Sequence, residues 1–424
     1  MNQPDLIPHL FRKEYGKIVS VLVRYWGINH LEAAEDIASE TFVTAVQTWV
    51  YRGIPVNPAA WLYQVAKNKA RNYLKREQIF RSDVYPEIRN RLDASEQPDL
   101  DLSVDSIRDS QLRMMFAISH PSMAPESQIA LSLRILCGFG IEEIAAAFLT
   151  NKETINKRLL RAKQKLRSQP ALLEAPGPAE IAGRMENVLT TLYLLFSEGY
   201  YSISKDPAIR KELCLEAMLL ANSLLQTQSP QKKDVFALLS LMCFQASRLE
   251  ARVTASGETV PYEEQDPQQW NMELVSQGIY FLKEASGGDR ISRFHLEACI
   301  AYYNTIKDDT PEKWENILRL YNILLEINNS PITALNRGYA IYKVKGKMAA
   351  IAATEKLRLA NNQFYCTLLG ELYSGIDNQK ARAYYQRAIA LAKTMHDRNT
   401  LQTHINRLEN TAAKDGVLKN IFAG

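Results

Sequence analysis

The sequence predicts an all-α protein: two small helical modules followed by a long region of helical repeats. Three observations predict it. Apolar residues recur at spacings of three and four almost throughout, β-like alternation is scarce, and Gly and Pro fall mostly between the periodic segments. The chain has 424 residues, 46% hydrophobic and 23% charged, which suits a globular protein with room for two or three domains.

The elements follow in order. Ala33 to Val50 reads as a helix with Ile37, Phe42, Val43 and Val46 on its apolar face. Gly53, Pro55 and Pro58 end it, and a second helix runs from about Ala59 to Glu77, so residues 1–80 form the first module. Residues 81–109 are polar, contain Pro86 and Pro98, and gather acids from Asp93 to Asp109, which predicts a flexible acidic linker. A compact helical block over 110–170 and a stiff connector, Pro170 to Pro178, come next. Within 179–424, Trp314–Ile327 and Gln379–Ala392 resemble one another as amphipathic helices. Tyr321, Ala353 and Tyr385 follow at intervals of 32 residues, close to the tetratricopeptide period of about 34. That region is therefore expected to be tetratricopeptide-like, with a generic helical bundle as the other reading.

Composition excludes several classes of function. The N-terminus lacks the pattern of a secretory signal, and no apolar run approaches a membrane span, so a cytoplasmic protein without a membrane partner is expected. Cys137, Cys214, Cys243, Cys299 and Cys366 lie far apart with no CxxC pair, and His396 and His404 have no third ligand nearby, so no metal or other cofactor is expected. Enzyme chemistry also finds no anchor: there is no P-loop and no nucleophile motif, and the adjacent acids Glu142-Glu143 and Glu263-Glu264 point to different helix faces.

The net charge of +4 hides a local asymmetry. Lys152 to Ser168 holds seven Lys or Arg and one acid, which suggests a polyanionic partner. Ahead of it, Gly140-Ile-Glu-Glu-Ile-Ala-Ala-Ala-Phe148 forms a short helix with Ile141, Ile144, Ala145 and Phe148 on one face. After a tight turn, Ile155, Leu159, Ala162 and Leu166 form the inner face of a second helix. Two short helices joined this way are a helix-turn-helix. The candidate DNA-binding residues are Lys152, Thr154, Asn156, Lys157, Arg158, Arg161, Lys163 and Lys165, with Arg167 also outward. Those near the helix start suit base edges, Asn to adenine and Lys to guanine, and the later cations suit phosphates. A solvated basic face on a structural helix is the plainer reading.

Two segments of the first module narrow the function. Ala34-Glu-Asp-Ile-Ala-Ser-Glu-Thr-Phe42 resembles the polymerase-binding segment of sigma factor region two, with Asp36, Glu40 and Phe42 matching and Ser39 replacing the common Gln. Pro58-Ala-Ala-Trp-Leu-Tyr-Gln-Val-Ala-Lys-Asn68 and the residues on to Arg76 resemble the segment that reads the minus-ten element. There Trp61, Leu62, Tyr63, Ala66, Asn68 and Arg76 match, and Asn72 stands where Asp is frequent. Together with the helix-turn-helix, over residues 8 to 170, the chain resembles the extracytoplasmic-function sigma factors, which keep only regions two and four. The extension from Leu189-Thr-Thr-Leu-Tyr-Leu-Leu-Phe-Ser-Glu-Gly-Tyr200 resembles the branch with a tetratricopeptide-like C-terminal domain.

The resemblance implies a set of partners and site residues. Core RNA polymerase would be met through its β′ clamp helices and β flap, with Asp36, Glu40 and Phe42 on the clamp. Promoter DNA would be met at the minus-ten element by Arg52, Asn57, Trp61, Asn68, Lys69, Arg71, Asn72 and Arg76. The loop 52–57 would capture an unpaired base, with cations tracking the backbone, and a core role for Trp61 is an equal reading. The helix-turn-helix would take the minus-thirty-five element. The linker would thread polymerase channels, and the extension would act in cis, with a protein or small ligand possible on its repeats. The competing reading is an ordinary helix-turn-helix regulator with a repeat sensor, which leaves the 34–76 block unexplained.

Overall fold

A computed structural model describes residues 3–84, 100–148, 150–168, 177–201, 207–226, 231–252, 254, 260, 262–288, 290–392 and 398–408. Every regular element among them is helical. The chain divides into two compact units, residues 1–235 and 236–424.

The first unit opens with α1 (Gln3–Trp26), α2 (Leu31–Arg52) and α3 (Pro58–Val84). Ile18, Val19, Leu22, Ile37, Ala45, Trp49, Leu62 and Ala66 are buried and supply the core that holds the three together. Phe11 meets Phe42 edge-on at 5.0 Å, and Trp49 meets Trp61 likewise at 5.3 Å. α2 stops at Gly53, whose φ of 77° is a left-handed conformation that glycine adopts without strain. The expected apolar face of α2 is only half correct. Ile37 and Phe42 point inward, but Val43 and Val46 are exposed, because they lie one residue beyond inward-facing Phe42 and Ala45 and so rotate out of the seam.

Helix trims both ends of the expected linker: α3 runs on to Val84, and α4 (Val104–Ile118) begins before Asp109. Ser103 caps α4, its side chain accepting from the Ser106 N–H, and Asp105 sits favourably in the first turn. Asp93, Glu96 and Asp99 lie outside the described residues. α5 (Pro125–Ile135), α6 (Ile141–Ala147) and α7 (Lys152–Arg167) complete the second module.

Two helices beyond the connector, α8 (Pro178–Tyr201) and α9 (Pro207–Leu224), belong to this first unit. They pair with each other and pack on α4, and α8 also packs on α5. Buried Arg184 donates to the Phe116 carbonyl at 3.0 Å, and Asn187 donates to Gln128 at 2.7 Å. On the other side of α9, Glu212 takes His9 and Lys13 of α1 at 2.8 and 3.1 Å, and Glu216 takes Lys17 at 3.4 Å.

The second unit takes up α10 (Lys232–Ala246) from Phe236 on, then α11 (Met272–Ala285), α12 (Arg293–Tyr303), α13 (Pro311–Ile327), α14 (Pro331–Glu355), α15 (Gln363–Tyr373) and α16 (Asn378–Leu391), with a last helix over 398–408. From α11 to α16 each helix packs on the next in sequence. Gly346, at φ 79°, breaks α14 in two and lets the chain reverse without a long loop. Tyr321, Ala353 and Tyr385, the three residues spaced at one interval in the sequence, all pack into one apolar cluster. Gly370 allows the Tyr385 ring to close on the α15 backbone, since a Cβ there would lie 2.8 Å from the ring. Four of the five cysteines are buried and all are free thiols, as small apolar core residues would be.

Candidate nucleic-acid interface

The helix-turn-helix is built from its caps inward. Gly140 donates its N–H to Glu143 Oε2 at 2.6 Å, which starts α6 by reaching back from the first turn. Asn151 accepts from the Thr154 N–H at 2.8 Å and starts α7. Ile144, Ala145, Ile155, Leu159, Ala162 and Leu166 are buried, while Ile141 and Phe148 of the expected α6 face are half-buried. Asn156, Lys157, Arg161 and Lys165 are exposed on the outer side of α7.

The other candidates on α7 differ in what they touch. Lys152 pairs with Glu142, and Lys157 pairs with Glu153 at 2.7 Å, both in solvent. Thr154 and Arg158 are half-buried, and the Arg158 guanidinium lies 5.5 Å from the centre of the Phe148 ring. Lys163, half-buried, is already engaged elsewhere. Its ammonium donates to both carboxylate oxygens of Glu35 on α2, at 2.8 and 2.7 Å. The side chain of Arg167 lies outside the described residues.

In the first module, Asp36 and Glu40 are exposed one turn apart on α2. Glu40 pairs with Lys69 of α3 at 3.1 Å. Between these helices a groove of about 540 Å³ is lined by Asp36, Glu40, Lys69, Asn72, Tyr73 and Arg76 among others, so candidates from both lists share one surface. Phe42 does not share it; the ring is buried beneath α2. Arg52, Asn57, Asn68, Arg71, Asn72 and Arg76 are exposed. Asn57 caps α3, accepting from the Ala60 N–H at 3.0 Å, and Asn68 accepts from Gln64 at 3.3 Å. Trp61 is half-buried against Trp49. Tyr63 donates to Glu14 and fastens α3 to α1; burial, then the neighbouring carboxylate, pushes its phenol up, so it stays protonated.

One feature escaped the sequence reading. Val43, Val46 and Val50 line the outside of α2 at 53%, 45% and 64% exposure, and Tyr51, Ile54 and Val56 carry the apolar strip into the loop. Spacing of three and four residues was the available signal, but it also fits a core face. Among the described residues no cluster of three metal-binding side chains occurs, and no helix is long and apolar enough to cross a membrane.

Comparison with known proteins identifies these modules. The chain matches Sigma-70 region 2 over residues 10–79 and Sigma-70, region 4 over residues 120–166; residues 184–286 match a family of unknown function, DUF6596. An uncharacterized protein of Rhizobium meliloti, R00370, is 32% identical over 92% of this chain and 93% of its own length. The ECF RNA polymerase sigma factor SigE of Mycolicibacterium smegmatis is 27% identical over 37% of this chain and 59% of its own. The ECF RNA polymerase sigma-E factor of Haemophilus influenzae is 26% identical over 38% and 85%. No solved structure matches. With regions 2 and 4 in the family's order and a helical extension behind them, the chain belongs to the extracytoplasmic-function group of the sigma-70 family, non-enzymatic factors of transcription initiation whose domains imply core RNA polymerase and promoter DNA as partners.

Proposed function

We propose that this sigma factor docks on core polymerase through α2, reads the minus-ten element with the α2–α3 loop and α3, and reads the minus-thirty-five element with α7. Residues 1–80 and 110–170 act as the two promoter-reading modules, and 179–424 as an extension that regulates them in cis. The observation that carries the reading is the outer face of α7, where Asn156, Arg161 and Lys165 stand exposed above a fully packed inner face. Asn near a helix start suits a base edge, and later cations suit phosphates. On α2 the acids Asp36 and Glu40 flank an apolar strip, a combination that suits a protein partner with basic and apolar groups. The cis role rests on α8 and α9, which grip both modules through Arg184, Asn187, Glu212 and Glu216.

Run-off transcription tests this directly. Purified full-length protein, core polymerase and a library of upstream sequences should give transcripts from a defined subset. Truncation after Gln169 should abolish or strongly lower them, with circular dichroism showing that the two modules stay folded. Unchanged transcription by the truncated chain would rule out the cis role, higher transcription would make the extension an inhibitor in cis, and no transcripts from the full chain would rule out the sigma reading of these residues.

A further inference from the structure

Lys163 is set apart from its neighbours on α7. Lys152 and Lys157 pair with acids of their own module in solvent, where such pairs contribute little. Lys163 instead crosses to the other module, and in its pair with Glu35 the two side chains are only 26% and 14% exposed.

The surface that holds this pair is closely fitted. The turn after α5 sits on α1 at Gly16, where a Cβ would fall 2.0 Å from the Leu136 carbonyl oxygen. No side chain fits there, so the two backbones touch only because residue 16 is glycine. One turn earlier on α1, Arg12 pairs with Glu143 and lies 5.1 Å from the centre of the Phe139 ring. Farther along α1, Arg24 pairs with Asp109 at 3.1 Å. Backbone fit on one side and ion pairs on both thus fix the register in which Lys163 faces Glu35.

A lysine held on two oxygens of one carboxylate is held as it would be on a DNA phosphate: a cation against a delocalised anion. We infer that Glu35 is an internal substitute for a DNA phosphate, occupying Lys163 while region 4 rests on region 2, so that α7 meets DNA with one phosphate contact fewer until the modules part. The inference rests on the DNA-reading role of α7 proposed above. Glu35 adjoins Asp36 and precedes Glu40 on α2, so the masking carboxylate lies on the helix proposed to meet polymerase.

The test uses the free full-length chain, a short random-sequence DNA duplex and fluorescence anisotropy across a salt series. Glu35→Ala should tighten binding roughly fivefold at low salt and steepen the salt slope by about one, the signature of one added phosphate contact. Glu35→Gln, which keeps the side chain's size, should act in the same direction, and circular dichroism melts show that each variant is folded. Adding Lys163→Gln should cancel the gain in both. Arg161→Ala should weaken binding and flatten the slope by about one in every background. If Arg161→Ala acts but the Glu35 variants do not, or if their gain survives Lys163→Gln, the masking is overturned and the DNA reading stands. If Arg161→Ala has no effect, both fall together.

Discussion

α2 and α7 are both amphipathic helices of the same unit, yet they leave opposite chemistry in solvent. α7 buries every large apolar residue of its inner face and turns out Asn156, Lys157, Arg161 and Lys165, with Leu160 as the one exposed large apolar residue among its described side chains. α2 buries Ile37, Phe42, Ala45 and Trp49 and still turns out Val43, Val46 and Val50. A solvated cationic face is stable without any partner. A row of exposed valines costs about 25 cal/mol for each Å² of apolar surface left in water, so it marks a surface meant to be covered. The contrast accords with the proposed function, in which α7 meets nucleic acid and α2 meets protein.

The contrast breaks most visibly if inward and outward residues respond alike. Ile155→Ala, inside α7, should lower unfolding stability by about 2–4 kcal/mol, read from urea melts, because it opens a cavity in a packed face. Val46→Asp with Val50→Asp, outside α2, should change stability by only about 0.5 kcal/mol per site. The same pair should weaken core polymerase binding by about 2 kcal/mol, measured by titration with labelled protein. Equal loss of stability in both helices would mean that the valines are structural. A smaller effect sharpens the nucleic-acid side. Asn156→Ala should relax preference at one base pair by about 1–3 kcal/mol, whereas Arg161→Ala should weaken all sequences alike. Competition binding with a randomised duplex separates these outcomes, and uniform loss from both would show that α7 does not read bases. The smallest change expected is that of Lys152→Ala, whose ammonium already has Glu142; its effect on the salt slope should be less than that of Arg161→Ala, in the same titrations.

Much of this was legible in the sequence, because local periodicity fixes which side of a helix packs. The inner face of α7 and the turn before it followed from spacing alone. Val43 and Val46 were misassigned because a strip that awaits a partner and a strip that packs at home have the same period. Phe42 fits the family motif and also the core, and only burial distinguishes these. The Lys163–Glu35 pair was invisible for a different reason: its partners lie 128 residues apart, and no local rule links them. The apolar run Leu189–Phe196, just past the connector, already suggested that α8 packs on the sigma modules, as it does on α4 and α5; the ion pairs from α9 to α1 had no local signal.

Arg184 has a practical consequence for anyone exchanging parts between relatives. Its guanidinium enters a neighbouring module and ends on the Phe116 carbonyl, so the residues on either side of the connector share one interior. A hybrid joined at the connector would put foreign α8 and α9 on native α4 and α5, leaving the Phe116 carbonyl without its donor wherever the donor protein lacks the arginine. Grafts should instead be joined after α9, so that the recipient keeps its own arginine and only the distal repeats change hands.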